Sequence, residues 1–484
     1  MAGEHPKRAY VETYGCQMNI SDGELMEGVL AARGYQIVAE PEDADVVLVN
    51  TCAIREHAEQ RVLGRVAQLA SLKRLRPELV IGVTGCMAQR MGATLLEKAS
   101  YVDLVMGPDA YRSLPERLEE LDRGASDGTA ASGLARPDPG SRRPAASGTA
   151  VLSRGGGGKR RVQLAIVELD RGENYEGLEQ RRASRVAAWV PIQRGCDHRC
   201  TFCIVPYVRG PEKNRRPGDV LDEVRGLAAS GITEVTLLGQ TVNSYAHGGW
   251  SFPRLLGEVA RVEGIGRVRF TSPHPADVSE ALVEVMATEP AVCEQLHLPV
   301  QSGNDRTLKR MLRRYTVEEY LAKVELVRRA VPDVALSTDV IVAFPGETEA
   351  EFGDTLALMR TVRFDDAFTY RYSPREGTPA TRMPEDWAIP AGVAQARLEE
   401  LIGVAREVQL DVNRAELGRV EEVLVEKEAQ GPGQVLGRTR RNKVVAFAGP
   451  AHWIGSYRRV RLDSTSGATF VGSPVGEPAL AETA

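Results

Sequence analysis

A chain of 484 residues with a formal net charge of −5 is long enough for two to four domains of roughly 100 to 200 residues each. Its slight acidity excludes a global attraction for nucleic acid, so RNA contacts must come from local basic patches. The first residues are polar and charged (Glu4, His5, Lys7, Arg8), and no uninterrupted apolar run approaches the ~18 residues of a membrane span, so a cytoplasmic protein with no membrane partner is expected.

Three β runs come first. Tyr10-Val11-Glu12-Thr13-Tyr14 leads into Gly15-Cys16, Val46-Val47-Leu48-Val49 into Asn50-Thr51-Cys52, and Val80-Ile81-Gly82-Val83 into Thr84-Gly85-Cys86. Helical patterns over residues 22–32, 56–75 and 92–99 alternate with them. This order predicts a parallel-sheet α/β domain over residues 7–122, in which ligands sit beyond the carboxyl ends of the strands. Cys16, Cys52 and Cys86 are then expected to converge at one edge. The bland alternative is three small core residues, since free cysteine is often buried, but their shared position at strand ends favours a common three-cysteine metal site.

Gly, Ala, Ser, Pro and Arg dominate residues 123–161, ending in Gly155-Gly156-Gly157-Gly158-Lys159-Arg160-Arg161. With almost no apolar periodicity, this stretch reads as a flexible insertion within a linker over residues 123–182. Its arginines lack interleaved aromatics to stack on bases, which favours a tether over an RNA contact.

The second cysteine set, Cys196-Asp197-His198-Arg199-Cys200-Thr201-Phe202-Cys203, has C-x3-C-x2-C spacing. Three thiolates hold three irons of a [4Fe-4S] cluster and leave the fourth open to a small molecule. A zinc knot completed by His198 or a distant ligand is the alternative, although zinc favours two ligand pairs separated by a longer loop. In a reducing compartment clustered cysteines are metal ligands sooner than disulfides.

From Val186 the β/α alternation resumes. Strands are predicted at residues 188–192, 234–238, 268–271, 295–298, 335–342 and 367–372, and helices at 219–230, 252–262, 278–288, 317–330 and 349–362. Six units are too few for a closed eight-stranded barrel and fit an open (β/α)6 partial TIM barrel over residues 183–412, with its chemistry on the loops after the strands. Gly239-Gln240-Thr241-Val242-Asn243 and Gln301-Ser302-Gly303-Asn304-Asp305 offer polar groups there, although turn chemistry alone explains either loop. From residue 413 to 474, short strands with glycine-rich turns predict a small five-stranded antiparallel β-barrel. Its Gly437-Arg438-Thr439-Arg440-Arg441-Asn442-Lys443 turn is either a phosphate-binding site or a solvated hairpin. Residues 475–484 read as a disordered tail.

Tyr14-Gly15-Cys16-Gln17-Met18-Asn19, Asn50-Thr51-Cys52-Ala53-Ile54-Arg55-Glu56, Gly85-Cys86-Met87-Ala88-Gln89-Arg90, Arg194-Gly195-Cys196-Asp197 through Cys203-Ile204-Val205-Pro206-Tyr207, Leu238-Gly239-Gln240-Thr241-Val242-Asn243-Ser244-Tyr245 and Leu298-Pro299-Val300-Gln301-Ser302-Gly303 resemble the motifs of the radical S-adenosylmethionine (SAM) methylthiotransferases. The closest likeness is to the MiaB type, which acts on dimethylallyladenosine in tRNA. The resemblance implies an N-terminal methylthiotransferase domain, a central radical SAM domain and a C-terminal TRAM domain.

It also implies two [4Fe-4S] clusters. Cys196, Cys200 and Cys203 would hold the one that binds SAM and generates the radical, and Cys16, Cys52 and Cys86 an auxiliary one that supplies sulfur. SAM contacts are then expected at Gln240, Asn243, Ser302 and Asp339, and RNA contacts at Arg438, Arg440, Arg441 and Lys443. The implied reaction replaces the hydrogen on carbon 2 of the adenosine beside the anticodon by a methylthio group. The implied partners are that tRNA, a low-potential electron donor of flavodoxin or ferredoxin type, and a sulfur or iron-sulfur cluster supplier. Sister enzymes acting on threonylcarbamoyladenosine or on a ribosomal protein, and more remotely a non-catalytic metal-stabilised RNA-binding protein, are the rivals. One departure is Asn214 in Arg209-Gly210-Pro211-Glu212-Lys213-Asn214-Arg215, where serine is usual, and a second is the length of the 123–161 insertion.

Overall fold

The computed structural model describes residues 5–53, 56–127, 149–154 and 161–476; the low-complexity stretches 128–148 and 155–160 and the tail 477–484, on which the tether and disordered-tail expectations largely fall, lie outside the described residues. The chain forms two units, one of Met1–Ala183, Gln193–Lys213 and Arg375–Thr381, the other of Ser184–Ile192, Asn214–Pro374 and Arg382–Ala484.

Runs that are apolar on both faces make parallel strands covered on both sides, and Val46–Thr51, buried at every position, is the central example in the first unit. A seven-stranded sheet results, in the order Gln36–Ile37, Arg8–Thr13, Val46–Thr51, Val80–Gly85, Leu104–Met106, Arg161–Ile166, Thr149–Arg154. Six strands are parallel and only the last is antiparallel, paired with Arg161–Ile166. Leu25, Met26 and Leu30 of helix Gln17–Ala32 pack in one core, and Val62, Val66 and Leu69 of helix Glu56–Ala70 in another. The strand order reverses between Arg8–Thr13 and Val46–Thr51, and such a switch point opens a crevice at the strand ends.

The Thr149–Arg154/Arg161–Ile166 hairpin departs from the linker expected over 123–182. Leu164 and Ile166 are buried in the same core as Leu25, so this part of the linker extends the sheet. Helix Leu114–Asp127 likewise carries regular structure past residue 122.

In the second unit, six strands match the expected partial barrel: Ala187–Pro191, Glu234–Leu238, Arg267–Phe270, Gln295–His297, Ala335–Val342 and Asp366–Arg371. They form two parallel three-stranded sheets, linked by a single bridge between Val268 and Val292. Helices Val317–Ala330 and Glu349–Val362 each start on a capping box, Thr316 with Glu319 and Thr348 with Glu351. After helix Ala391–Arg414, five strands close the small barrel. It is antiparallel except that Val444–Ala448 and Thr469–Pro474 run parallel. No helix among the described residues is long and apolar enough to cross a membrane.

The basic turn of the small barrel is turned inward, which departs from the solvated-hairpin reading. Arg267 donates to the carbonyl of Arg438 at 2.8 Å, and Arg269 to those of Arg440 and Thr439 at 2.7 and 2.8 Å. Arg440 binds Glu294 (2.8 Å), Lys443 binds Asp365 (2.7 Å), and Arg441 pairs with Glu416 and Glu421. Arg267, Glu294 and Asp365 lie at or just before the first residues of barrel strands, so the turn covers the amino ends of those strands, opposite the loops that follow them. Arg438 keeps 37% of its side chain exposed, against 9% for Arg441 and 8% for Lys443. Removing one partner of a buried ion pair strands the other's charge, so Arg441→Met should cost about 3 kcal/mol in urea unfolding, while Arg438→Ala should cost under about 1 kcal/mol. Equal small losses would show that the turn does not anchor the barrel.

Candidate metal centre

Parallel registry sets the first cysteine set. Thr13 pairs with Asn50, Asn50 with Thr84 and Thr51 with Gly85, so Cys16, Cys52 and Cys86 leave the sheet side by side at the switch point. Glycines let these ends approach. Gly15 (φ 140°) would carry a Cβ 2.7 Å from the Cβ of Cys52, and Gly85 (φ 92°) one 2.4 Å from the Thr51 carbonyl. Side-chain amides tie the loops together: Asn19 donates to the Thr51 carbonyl at 3.1 Å and Asn50 to the Asn19 carbonyl at 2.7 Å. The Cys16 thiol lies 3.3 Å from Asn19 Oδ1.

The thiols differ in acidity. A hydrogen bond with Cys52, and then the charge of Arg209, bring Cys16 down to about 6 against the opposing effect of burial. Burial pushes the Cys86 thiol up, with Arg209 opposing it. Arg209 is 3% exposed, and its Nε lies 3.2 Å from Cys86 Sγ while Nη2 donates to Asp22 Oδ2 at 2.6 Å. Burial works against the Arg209 charge, but Asp22 and then Cys86 outweigh it.

The second cysteine set belongs to the same unit, because the segment Gln193–Lys213 clusters with the N-terminal sheet. A contiguous radical SAM domain over 183–412 is thus interrupted here and at Arg375–Thr381. Two buried carboxylates fasten the segment. Asp109, 1% exposed, accepts from Arg194 at 2.9 Å just before the cysteines and from Lys213 at 2.8 Å after them. Asp22 takes Arg209 between these points. Gly195 (φ 74°) allows the entry turn, where a Cβ would lie 2.0 Å from the Pro211 carbonyl. Cys196 N–H donates to the Gly210 carbonyl at 3.2 Å, and Ala380 N–H to that of Thr201 at 2.9 Å. Cys196 and Cys200 are buried and Cys203 half-buried. Cys86 packs with Ala53, Ile204 and Val208, which brings the first set against the residues that follow the second.

In the barrel unit the expected ligand-contact residues separate into two kinds. Asn243 spends its amide on the backbone of His274, at 2.7 and 2.9 Å, and buried Ser302 faces Thr355 Oγ1 at 3.4 Å. Gln240 Oε1 is buried without a hydrogen-bond partner. Asp339 and Phe368 pair in register, as do His297 and Ser337, so all four share one face of the sheet. His297 Nε2 lies 3.5 Å from Asp339, its Nδ1 3.0 Å from Ser337 Oγ, and its ring meets Phe368 edge-on. Sequence reasoning missed Asp22, Asp109, Arg194, Arg209 and Lys213 as partners. The last two lie in the quoted Arg209–Arg215 run, whereas Asp22 and Asp109 carry no local signal.

Both donor sets suit anionic iron-sulfur clusters: three thiols each, a cradle of glycines that a Cβ would fill, and a buried guanidinium beside Cys86. Family models agree in order along the chain: the uncharacterized protein family UPF0004 matches residues 8–107, the radical SAM superfamily 190–359 and the TRAM domain 414–469. Among solved structures, the radical SAM methyltransferase TsrM from Kitasatospora setae, with cobalamin and a [4Fe-4S] cluster bound, is 15% identical with a TM-score of 0.54, over 89% of this chain and 81% of that one; this is a likeness of fold. The tRNA-2-methylthio-N(6)-dimethylallyladenosine synthase of Chloroherpeton thalassium is 39% identical over 96% of both chains. That of Geobacillus thermodenitrificans is 41% identical over 97% of this chain and 84% of its own length. Identity at that level across nearly every residue, with all three domains in order, means that this chain belongs to the tRNA-2-methylthio-N(6)-dimethylallyladenosine synthase family of radical SAM methylthiotransferases.

Proposed function

We propose that this chain converts N(6)-dimethylallyladenosine beside the tRNA anticodon to its 2-methylthio form, using SAM and two [4Fe-4S] clusters. The observation that carries this reading is the gathering of both cysteine sets in one unit, with Cys86 packed on Ile204 and Val208. When bound, SAM and the clusters supply what no side chain can: a radical able to take an unactivated aromatic hydrogen, and a sulfur to replace it.

The residues divide the remaining work. Cys196, Cys200 and Cys203 hold the SAM-binding cluster, and Asp109 with Arg194 and Lys213 fixes their loop. Cys16, Cys52 and Cys86 hold the auxiliary cluster, sealed from water on one side by Ala53, Ile204 and Val208. Of the SAM contacts expected in the barrel, Gln240 keeps a buried amide oxygen without a hydrogen-bond partner and Asp339 a carboxylate on its strand, whereas Asn243 and Ser302 are committed to His274 and Thr355. An anticodon-loop base is single-stranded and can be splayed from its neighbours. The TRAM domain supports tRNA as the substrate, and of its four turn cations Arg438 is the most open to RNA. A low-potential flavodoxin- or ferredoxin-type donor and a sulfur or iron-sulfur supplier complete the cycle in the cytoplasm, where thiols stay reduced.

Deleting the gene should abolish the methylthio nucleoside in tRNA and accumulate its dimethylallyl precursor, as read by nucleoside mass spectrometry. Unchanged tRNA would refute the substrate assignment. Reconstituted protein should bind about eight irons. Replacing Cys196, Cys200 and Cys203 by alanine should leave about four and abolish 5′-deoxyadenosine formation. The Cys52→Ala, Cys86→Ala variant should still cleave SAM yet form no methylthio product. Persistent 5′-deoxyadenosine in the first variant, or product from the second, would overturn the division of roles.

A further inference from the structure

We propose that Arg209, with Asp22 as its counter-charge, is a positioning residue that sets the reduction potential of the cluster held by Cys16, Cys52 and Cys86. The inference rests on the assignment of that ligand set. Arg209 follows the second cysteine set in sequence, yet its guanidinium is spent on the first: Nε lies 3.2 Å from Cys86 Sγ and Nη2 2.6 Å from Asp22 Oδ2. Nη1 is buried with no hydrogen-bond partner. A cation in this position keeps one donor unspent beside the buried Cys86 thiol.

Hydrogen bonds to sulfur and local net charge are the levers by which a protein tunes an iron-sulfur cluster. Both act strongly here, because Arg209 and Asp22 are 3% and 2% exposed and solvent screens them little. The positive charge of Arg209 stabilises the reduced cluster, which carries one more negative charge. Asp22 opposes this while holding the guanidinium in place. The two residues therefore make opposite electrostatic contributions through one ion pair, which separates a tuning role from a structural one.

The test uses the full chain with Cys196, Cys200 and Cys203 replaced by alanine, so that only the first cluster is titrated. In that background Arg209→Gln should move the midpoint negative, raising the oxidised-to-reduced ratio at fixed poise about tenfold, or ~59 mV for one electron. Asp22→Asn should move it positive. Arg209→Lys should recover most of the Arg209→Gln shift. Arg209→Gln and Asp22→Asn each break the same pair, so shifts of the same sign in those two, or none, would overturn the proposal. If Arg209→Gln fails to load iron, Asp22→Asn decides the matter: a positive shift supports the proposal, and none or a negative one overturns it. A parent that loads no iron would instead defeat the ligand assignment, and the inference with it.

Discussion

The metal centre depends on two buried carboxylates. Residues 196–203 form neither helix nor strand, so their loop has no ladder of its own to hold it. Asp109 grips Arg194 on one flank and Lys213 on the other, and Asp22 takes Arg209 between them. Buried ion pairs add little net stability, because desolvation offsets most of the attraction, but a wrong partner or register leaves a bare charge in a dry interior. That asymmetry makes them good locators. Three cations spaced along one segment, each on a fixed acid, allow the second cysteine set a single placement against the first.

Charge is used inwardly at the other end of the chain as well. Glu234, Glu294, Asp365 and Glu416 form an acidic rim near the amino ends of the barrel strands, and Arg269, Arg440, Lys443 and Arg441 neutralise them in turn. A turn that looks in sequence like a phosphate clamp is thereby a fastener between the small barrel and the strands. Its backbone carbonyls are occupied too, by Arg267 and Arg269. Of the turn's four cations, Arg438 keeps the largest exposed fraction.

Legibility in the sequence followed locality. The helices expected at 317–330 and 349–362 and the strand at 335–342 coincide with the observed Val317–Ala330, Glu349–Val362 and Ala335–Val342, because capping boxes and apolar period are written in adjacent residues. Convergence of Cys16, Cys52 and Cys86 was legible because each follows a β run, and topology does the rest. The Thr149–Arg154 strand was hidden between two low-complexity stretches, at a sheet edge where composition is weakly constrained. The inward anchoring of the basic turn was not legible because its partners are distant: Arg440 and Glu294 stand 146 residues apart. Nothing near either residue signals the pair.

The same distance bears on how the second site assembles. Arg194 reaches Asp109 across 85 residues and Arg209 reaches Asp22 across 187, whereas the cysteines themselves span only residues 196–203. Spacing alone therefore brings three thiols close in any conformation of the loop, but fixing their directions requires closing two long chain segments, each at an entropic cost that local contacts do not offset. The helix Gln17–Ala32 that carries Asp22 and the turn Pro108–Ser113 that carries Asp109 must be in place before the loop gains its anchors. Because Asp22 lies on the helix that begins immediately after Cys16, the element that positions the first set is also the one that receives the second, and the two sites are built on a common foundation rather than on separate domains.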